Sequence, residues 1–292
     1  GQDPRFHTDV ERLIKGLKSL IPGSAVVPTY FFREAEKWVQ SYEDYHRKTV
    51  VDFYEDLGHG VFIHMIEIPG GKFLMGSPAN EHNRQKSEGP LHKVRVPPFL
   101  IGETPITQAQ WAVIAQQPKI RRTLHPFPSK FTGDLLPVEQ IQWAEAVEFC
   151  NRLSRHTGCQ YRLPSESEWE YACRAGIEEP FYCGEFLDAG TANYGKNIGQ
   201  SSEIGNYPPN AFGLYDMHGN VWEWCRDRWH KNYKGAPADG SGWGKSCIKS
   251  QVVLRGGSWN SAESSCRSAS RFRINLNLSL STIGFRVSCS ST

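Results

Sequence analysis

Eight cysteines, Cys150, Cys159, Cys173, Cys183, Cys225, Cys247, Cys266 and Cys289, are the side chains of this 292-residue sequence best suited to redox or soft-metal chemistry. No two form a Cys-x2-Cys pair, which argues against a zinc knuckle or a thioredoxin-like site. An even count permits disulfides; the alternative, preferred where no secretory leader is seen, is a set of buried free thiols. His46, His59 and His64 stand singly and read as ordinary structural residues. Arg162, Arg255, Arg267, Arg271 and Arg286 lie among apolar or small neighbours. Together they suit an anion site, but such arginines more often satisfy loop carbonyls and pair with acids such as Glu139, Glu168 or Glu223.

The elements that must position these groups are short. Apolar residues make up 39% and charged residues 22% of the chain, as in an ordinary globular protein. A net charge of +2 gives no strong pull toward nucleic acid or an anionic membrane, and neither is expected as a partner. No apolar run approaches the roughly 20 residues that cross a bilayer, and no basic-then-apolar leader opens the sequence. The expectation is a cytoplasmic protein. Residues 8–21 read as an amphipathic helix with a Thr8/Glu11 capping box, and 29–57 as one long or two short helices. This helical segment, 1–60, is expected to pack on a main domain over 61–292. Within that domain 61–68 and 73–76 read as strands, and 143–156 and 166–175 as helices. The second helix opens on a Ser165/Glu168 capping box. Gly (27) and Pro (18) punctuate the rest into short strands and fixed turns.

Five segments carry a family resemblance. They are Ile68 to Ser77 (IPGGKFLMGS); Glu88 to Val94 with Glu103 to Thr107 and Trp111; Pro137-Val138-Glu139 with Trp143 to Ala146 and Tyr161 to Ala172; Asn210 to Trp224 (NAFGLYDMHGNVWEW); and Arg255 to Trp259 (RGGSW), closing on Ile283 to Val287 (IGFRV). In this order they resemble the formylglycine-generating enzyme, or sulfatase-modifying factor, family over about four fifths of the chain. The resemblance implies an α+β fold, irregular and C-type-lectin-like, with limited regular secondary structure.

It also implies metal sites. In the family the fourth segment holds a structural calcium ion, and the matching positions are Asp216, Gly219, Val221 and Glu223. Oxygen ligands from a tight glycine-containing loop suit such a hard cation. The alternative is a structural turn with Glu223 paired to an arginine. A second calcium site would use Asn193 and the Tyr194 carbonyl, though the next loop, which should supply its other ligands, is short here. Family enzymes bind copper(I) through a Cys-x4-Cys pair after the Gly-Gly-Ser-aromatic motif. Counted without gaps from Trp259, those positions are Ser261 and Cys266. With a gap that places Arg267 to Arg271 on the family's Arg-x-Ala-x-Arg, neither cysteine remains. Soft thiolates are what copper(I) needs, so no copper and no catalysis are expected. The related sulfoxide synthases use a histidine cluster, His-x3-Glu-x-His, that is absent here. An oxidoreductase of the sulfatase-modifying type remains the alternative, and a non-variable regulatory interaction module another.

The tail also resembles variable proteins made by diversity-generating retroelements, which use this same domain for ligand binding. Arg255 to Asn260, Cys266 to Ala269 and Ile283 to Val287 match fixed words of such proteins. In that family adenines in asparagine-type codons are randomised. Ser261, Ala262, Ser264, Ser265, Ser270, Phe272, Ile274, Leu276, Leu278, Leu280, Ser281 and Thr282 are all reachable from AAC, and Asn260, Asn275 and Asn277 read as unmutated remnants. The resemblance implies that these twelve positions line a solvent-accessible ligand surface for an unnamed protein or other macromolecule. Trp259, Cys266, Ala269, Ile283 and Phe285 should be buried beneath it. The alternation of apolar and polar residues from 272 to 280 also fits a half-buried strand.

Overall fold

The computed structural model describes residues 53–244 and 249–290. The expected helix over 8–21 and most of the helical segment 29–57 lie outside the described residues. Where that segment enters them it is not helical. Phe53–Gly58 forms strand β1, paired antiparallel with β2 (Val61–Ile68), with Phe53 opposite Met65 and Glu55 opposite Ile63. Gly58, His59 and Gly60 all take positive φ (87°, 57° and 75°), which closes a tight hairpin. Phe53, Tyr54 and the following acids then run along the neighbouring strand, where aromatic side chains fit the pleat. The main domain therefore reaches back at least to Phe53.

Three sheets follow. The first orders its strands β1-β2-β5-β10, with β5 at Phe99–Gly102 and β10 at Ser288–Ser290. The chain's last described strand thus closes the sheet that its first one opens. The second pairs β3 (Gly71–Met75) with β4 (His92–Val96). The third runs β8-β7-β6-β9, from β8 at Phe272–Asn275, β7 at Gln251–Arg255, β6 at Trp222–Arg228 to β9 at Ile283–Gly284.

Among the described residues three α-helices support them. Helix α1, Gln108–Ala115, was not expected: its apolar residues run consecutively rather than at helical spacing. Its start was readable nonetheless. Thr107 and Gln110 make a reciprocal capping box, the Thr107 N–H donating to Gln110 Oε1 at 2.8 Å. Helix α2, Trp143–Thr157, ends at left-handed Gly158 (φ 83°). Helix α3, Glu166–Arg174, opens on the expected Ser165/Glu168 box. Trp111, Phe149 and Phe285 pack ring on ring between α1, α2 and the chain's end, with centroids 5.3 to 6.1 Å apart. A second cluster gathers Trp169, Leu214, Met217, Cys225 and Val253.

Helix α3 is a rack of carboxylates for the arginines of other segments. Glu166 receives Arg271, Glu168 receives Arg162, and Glu170 receives both Arg174 and Arg255. Burial pushes the Glu166 carboxyl up, but Arg271 and Arg255 outweigh it and hold it below the usual range. Three of the five arginines singled out in the sequence, Arg162, Arg255 and Arg271, are thus ion-paired on this helix. Arg255 also donates to the carbonyls of Ser268, Ala269 and Ser270. Arg267 binds Glu81, Glu88 and the Asn83 carbonyl. Glu139 has no arginine among the described residues; its Oε1 accepts the backbone N–H groups of Lys130 (2.6 Å) and Phe131 (2.9 Å).

Candidate functional site

The C-terminal surface is built outward from that arginine rack. Strand β7 delivers Arg255 to the core, and the chain then turns through Gly256 and Gly257, both at positive φ. A Cβ on Gly257 would sit 2.4 Å from Cys266 Sγ, so the fixed glycine lets the turn close on the fixed cysteine. Cys266, Ala269, Ile283 and Phe285 are fully buried, as expected. Trp259 is only half-buried: it packs edge-on against Phe131 at 5.7 Å, and its indole N–H donates to the Ser281 carbonyl at 3.0 Å. That bond ties the two halves of the tail together.

Ten of the twelve expected surface positions are not buried. Ala262, Phe272, Leu278 and Leu280 are exposed; Ser261, Ser264, Ser265, Leu276, Ser281 and Thr282 are half-buried. Ser270 and Ile274 are corrections. Ser270 lies under the chain, where its carbonyl caps Arg255 and its N–H reaches Arg267 O. Ile274 faces inward from β8, opposite Val252, and belongs to the main core. Leu276 packs partly against the same core. The alternation from Phe272 is therefore strand patterning as far as Ile274, and beyond Asn275 a surface loop carrying Leu278 and Leu280. Phe272, in the same strand, stays half exposed over the Trp222 ring at 5.4 Å.

The surface segments are held mostly by main-chain atoms. Gly195 N–H donates to Ser261 O, Gln140 N–H to Leu280 O, Trp222 N–H to Thr282 O and Trp143 N–H to Leu276 O. Ser261 is the exception, because its hydroxyl also accepts from Ser258 N–H at 3.0 Å. Ser264 looks the other way, onto a cleft of about 770 Å³ shared with Glu81, Glu185 and Phe186.

The expected metal ligands are all buried except Tyr194, which is half-buried, and they divide into two kinds of site. Both oxygens of Glu223 are claimed by Arg286, at 2.7 and 2.8 Å, and one also accepts from the Trp169 indole at 2.7 Å. Asp216, with φ 57°, accepts from Gly205 N–H at 3.1 Å, and burial pushes its carboxyl up to about 6. Gly219 donates to Gly256 O, and Val221 is a core residue. Gly219 also abuts the backbone of Asn193, where a Cβ would come within 2.3 Å of the Asn193 carbonyl. An arginine thus fills the Asp216 to Glu223 loop. Asn193 differs: its amide N–H donates to Gln200 O and Ser202 Oγ, while its Oδ1 is buried without a hydrogen-bond partner, as is Ser201 Oγ. The Tyr194 carbonyl accepts from Asn197 N–H at 3.1 Å.

The seven described cysteines are all unpaired. Cys266 is sealed in, and burial pushes its thiol up to about 12. A cysteine and a histidine far apart in sequence do meet: Cys173 Sγ lies 3.9 Å from both ring nitrogens of His218. Burial drives the Cys173 thiol up to about 12 and the His218 imidazole down to about 4, so both groups are neutral. That is the opposite of an activated thiolate. Sequence patterning missed this pair: His218 lies in the fourth family segment and Cys173 just past the third, and no spacing joins the two.

Similarity to known proteins agrees with this geometry. The model of the sulfatase-modifying factor enzyme 1-like domain matches residues 59–290. Among curated relatives, the serine/threonine-protein kinase pkn1 of Chlamydia caviae is 31% identical over 77% of this chain and 38% of its own. The chain therefore spans less than two fifths of that kinase's length. The formylglycine-generating enzyme of Streptomyces coelicolor is 27% identical over 76% of this chain and 87% of its own. The inactive C-alpha-formylglycine-generating enzyme 2 of Bos taurus is 29% identical over 70% and 79%. Among solved structures, PvdO from Pseudomonas aeruginosa superposes with a TM-score of 0.73 at 34% identity, over 82% of this chain and 98% of its own. Treponema denticola variable protein 1 does so at 0.70 and 27%, over 83% and 100%. Its relatives thus include active, inactive and variable members on one scaffold, and the chain belongs to the sulfatase-modifying factor enzyme 1-like domain family, with its α+β, C-type-lectin-like fold.

Proposed function

We propose that the chain is a ligand-binding protein that displays a diversified C-terminal surface and does no chemistry of its own. The observation that carries this reading is the division of the tail: the fixed words are buried except for half-buried Trp259 and exposed Asn260, whereas ten of the twelve adenine-accessible positions reach the surface. Core positions tolerate few changes, whereas surface changes usually cost within about 0.5 kcal/mol. Phe272, Leu278 and Leu280 are this variant's exposed apolar anchors for a protein or other macromolecular ligand. The likeness to a variable protein supports it. The test is genomic: the codons of residues 260–282 are expected to differ from a nearby, near-identical repeat at adenines alone, beside a reverse-transcriptase gene. A locus with no such repeat sinks the reading.

For the absence of catalysis the support is Cys266, a single buried thiol with no second cysteine bonded to it. The purified chain supplied with copper should not oxidise a cysteine-containing peptide. For calcium, the second of the two sites that the resemblance implies is the better supported. The Asp216 to Glu223 loop, filled by Arg286, does not fit a cation, whereas the unpartnered Asn193 Oδ1 does fit a hard ion, with the Tyr194 carbonyl beside it. Calcium at about 100 times its Kd should stabilise the fold by roughly 2.7 kcal/mol. Replacing Asn193 with Ala should abolish the resulting rise in Tm; an unchanged wild-type Tm discards the ion.

A further inference from the structure

We propose that the loop of residues 118–131 is a constant docking arm that engages a carboxylate-rich segment of whatever protein the neighbouring C-terminal face captures, an inference that rests on the display reading above. The loop carries Lys119, Arg121, Arg122 and Lys130 and no carboxylate. All four cations are exposed, and among the described residues Lys119, Arg121 and Arg122 form no ion pair. The buried arginines of the same molecule, from Arg152 to Arg286, are each matched to a glutamate.

The shape of this loop is set from below. Buried Glu148 accepts the backbone N–H groups of Ile120 and Arg121, both at 2.9 Å. Buried Arg152 is paired with Glu148 and donates to the carbonyls of Ala115, Gln117 and Arg122. The Trp111 indole donates to His125 O at 2.8 Å, and Glu139 holds Lys130 and Phe131 by their N–H groups. Burying three ionic side chains is expensive, and here their hydrogen bonds go to the backbone of an exposed loop. The result is a preorganised set of cations, which lowers the ordering cost of binding. The loop also touches the candidate face: the Phe131 ring packs on Trp259, whose indole N–H holds Ser281.

The partner's chemistry follows from what the loop offers. The N–H groups of Ile120, Arg121, Lys130 and Phe131 are already taken by glutamates, so they form no nest for phosphate. Phe127, 73% exposed between Pro126 and Pro128, is the loop's one exposed apolar ring, since Leu124 is buried and Phe131 is packed; the His125 imidazole is exposed beside it, its Nδ1 accepting the Phe127 N–H. Two adjacent rings, one of them polar, supply neither the series of platforms that single-stranded nucleic acid stacks on nor the apolar area that seats a helix in a bilayer. Side-chain carboxylates match the four cations, and one apolar neighbour would match Phe127.

The probe is a fluorescein-labelled decaglutamate peptide, followed by anisotropy on the whole chain. Wild type is expected to bind it in preference to decaserine, with affinity falling as salt rises, because exposed charges are screened. Changing Lys119, Arg121, Arg122 and Lys130 to Glu together should weaken binding at least about tenfold. A four-serine version, checked by its melt, guards against misfolding. Phe272→Ser/Leu278→Ser/Leu280→Ser should bind the peptide as wild type does. The proposal is overturned if decaserine binds equally well, if the charge variants bind unchanged, or if the three-serine face variant loses the peptide. Tighter binding of an oligonucleotide or of phosphatidylserine vesicles overturns it too. The peptide result and the codon result are independent, so either idea can fail without the other.

Discussion

At the scale of the residue, Arg286 and Glu223 define what the glycine-rich fourth motif does. The pair is fully buried, and Arg286 also donates to the carbonyls of Gly102, Glu103 and Tyr215. Arg286→Met leaves a carboxylate in the core and should cost about 3–5 kcal/mol in urea unfolding. Adding Glu223→Gln should restore part of it; a double variant no better than the single one would show that packing, not charge, dominates. Asp216 makes a pH prediction. Its folded carboxyl is raised by burial to about 6 from an ordinary value of 3.8, so between those values the folded state binds the extra proton. Stability contributed by this group is full below the lower value and is lost as pH climbs to the upper one. Asp216→Asn should therefore gain on the order of 1–3 kcal/mol relative to wild type at pH 7, and little at pH 4. His218, lowered to about 4, acts with the opposite sign over a similar window, losing its contribution as pH falls. The difference between variant and wild type, rather than either curve alone, is thus the measurement.

At the scale of the element, β8 separates core from display within four residues. Ile274→Ser should destabilise by about 2–5 kcal/mol, because it empties a site packed against the main core. Phe272→Ser, Leu278→Ser or Leu280→Ser should each stay within about 1 kcal/mol. Equal losses at all four in thermal melts would mean that the tail is core throughout. The sequence could not separate them: period-two alternation describes one face of a strand but not where the strand stops being covered. Helix α3 was legible from its capping box, and α2 from its run of Ala144, Val147, Phe149, Cys150 and Leu153, of which the last three are buried. The first strand was missed because an aromatic-rich run before Gly58 suits helix or strand equally, and only its partner, β2, decides. The pairing of each arginine with its own glutamate was not legible either. Glu168 and Glu223 were foreseen as acceptors, and Glu170 with Arg174 is an ordinary i,i+4 helix pair, but Glu81, Glu88 and Glu166, and Glu170 with Arg255, meet arginines far away in sequence that no spacing encodes.

At the scale of the whole molecule, the thiols report how closed the fold is. Cys159 is exposed and Cys183 half-buried, while Cys150, Cys173, Cys225, Cys266 and Cys289 are buried. Burial also pushes the Cys183 thiol up to about 12. Peptide mapping after native iodoacetamide treatment should find Cys159 modified first and the five buried thiols only after denaturation. Early labelling of Cys266 would mean that the turn beneath the display surface opens readily. No helix among the described residues is long and apolar enough to cross a membrane. The carbonyl-held tail has one more consequence. Because Trp222, Trp259 and Gln140 grip Thr282, Ser281 and Leu280 by their peptide oxygens, the scaffold recognises that a residue is present without recognising which one. The domain can thus change its vocabulary at those positions while its grammar stays the same. Leu276, whose own N–H donates to Ser250 O and whose side chain packs partly on the core, is a position where both proline and a charged residue would be ungrammatical.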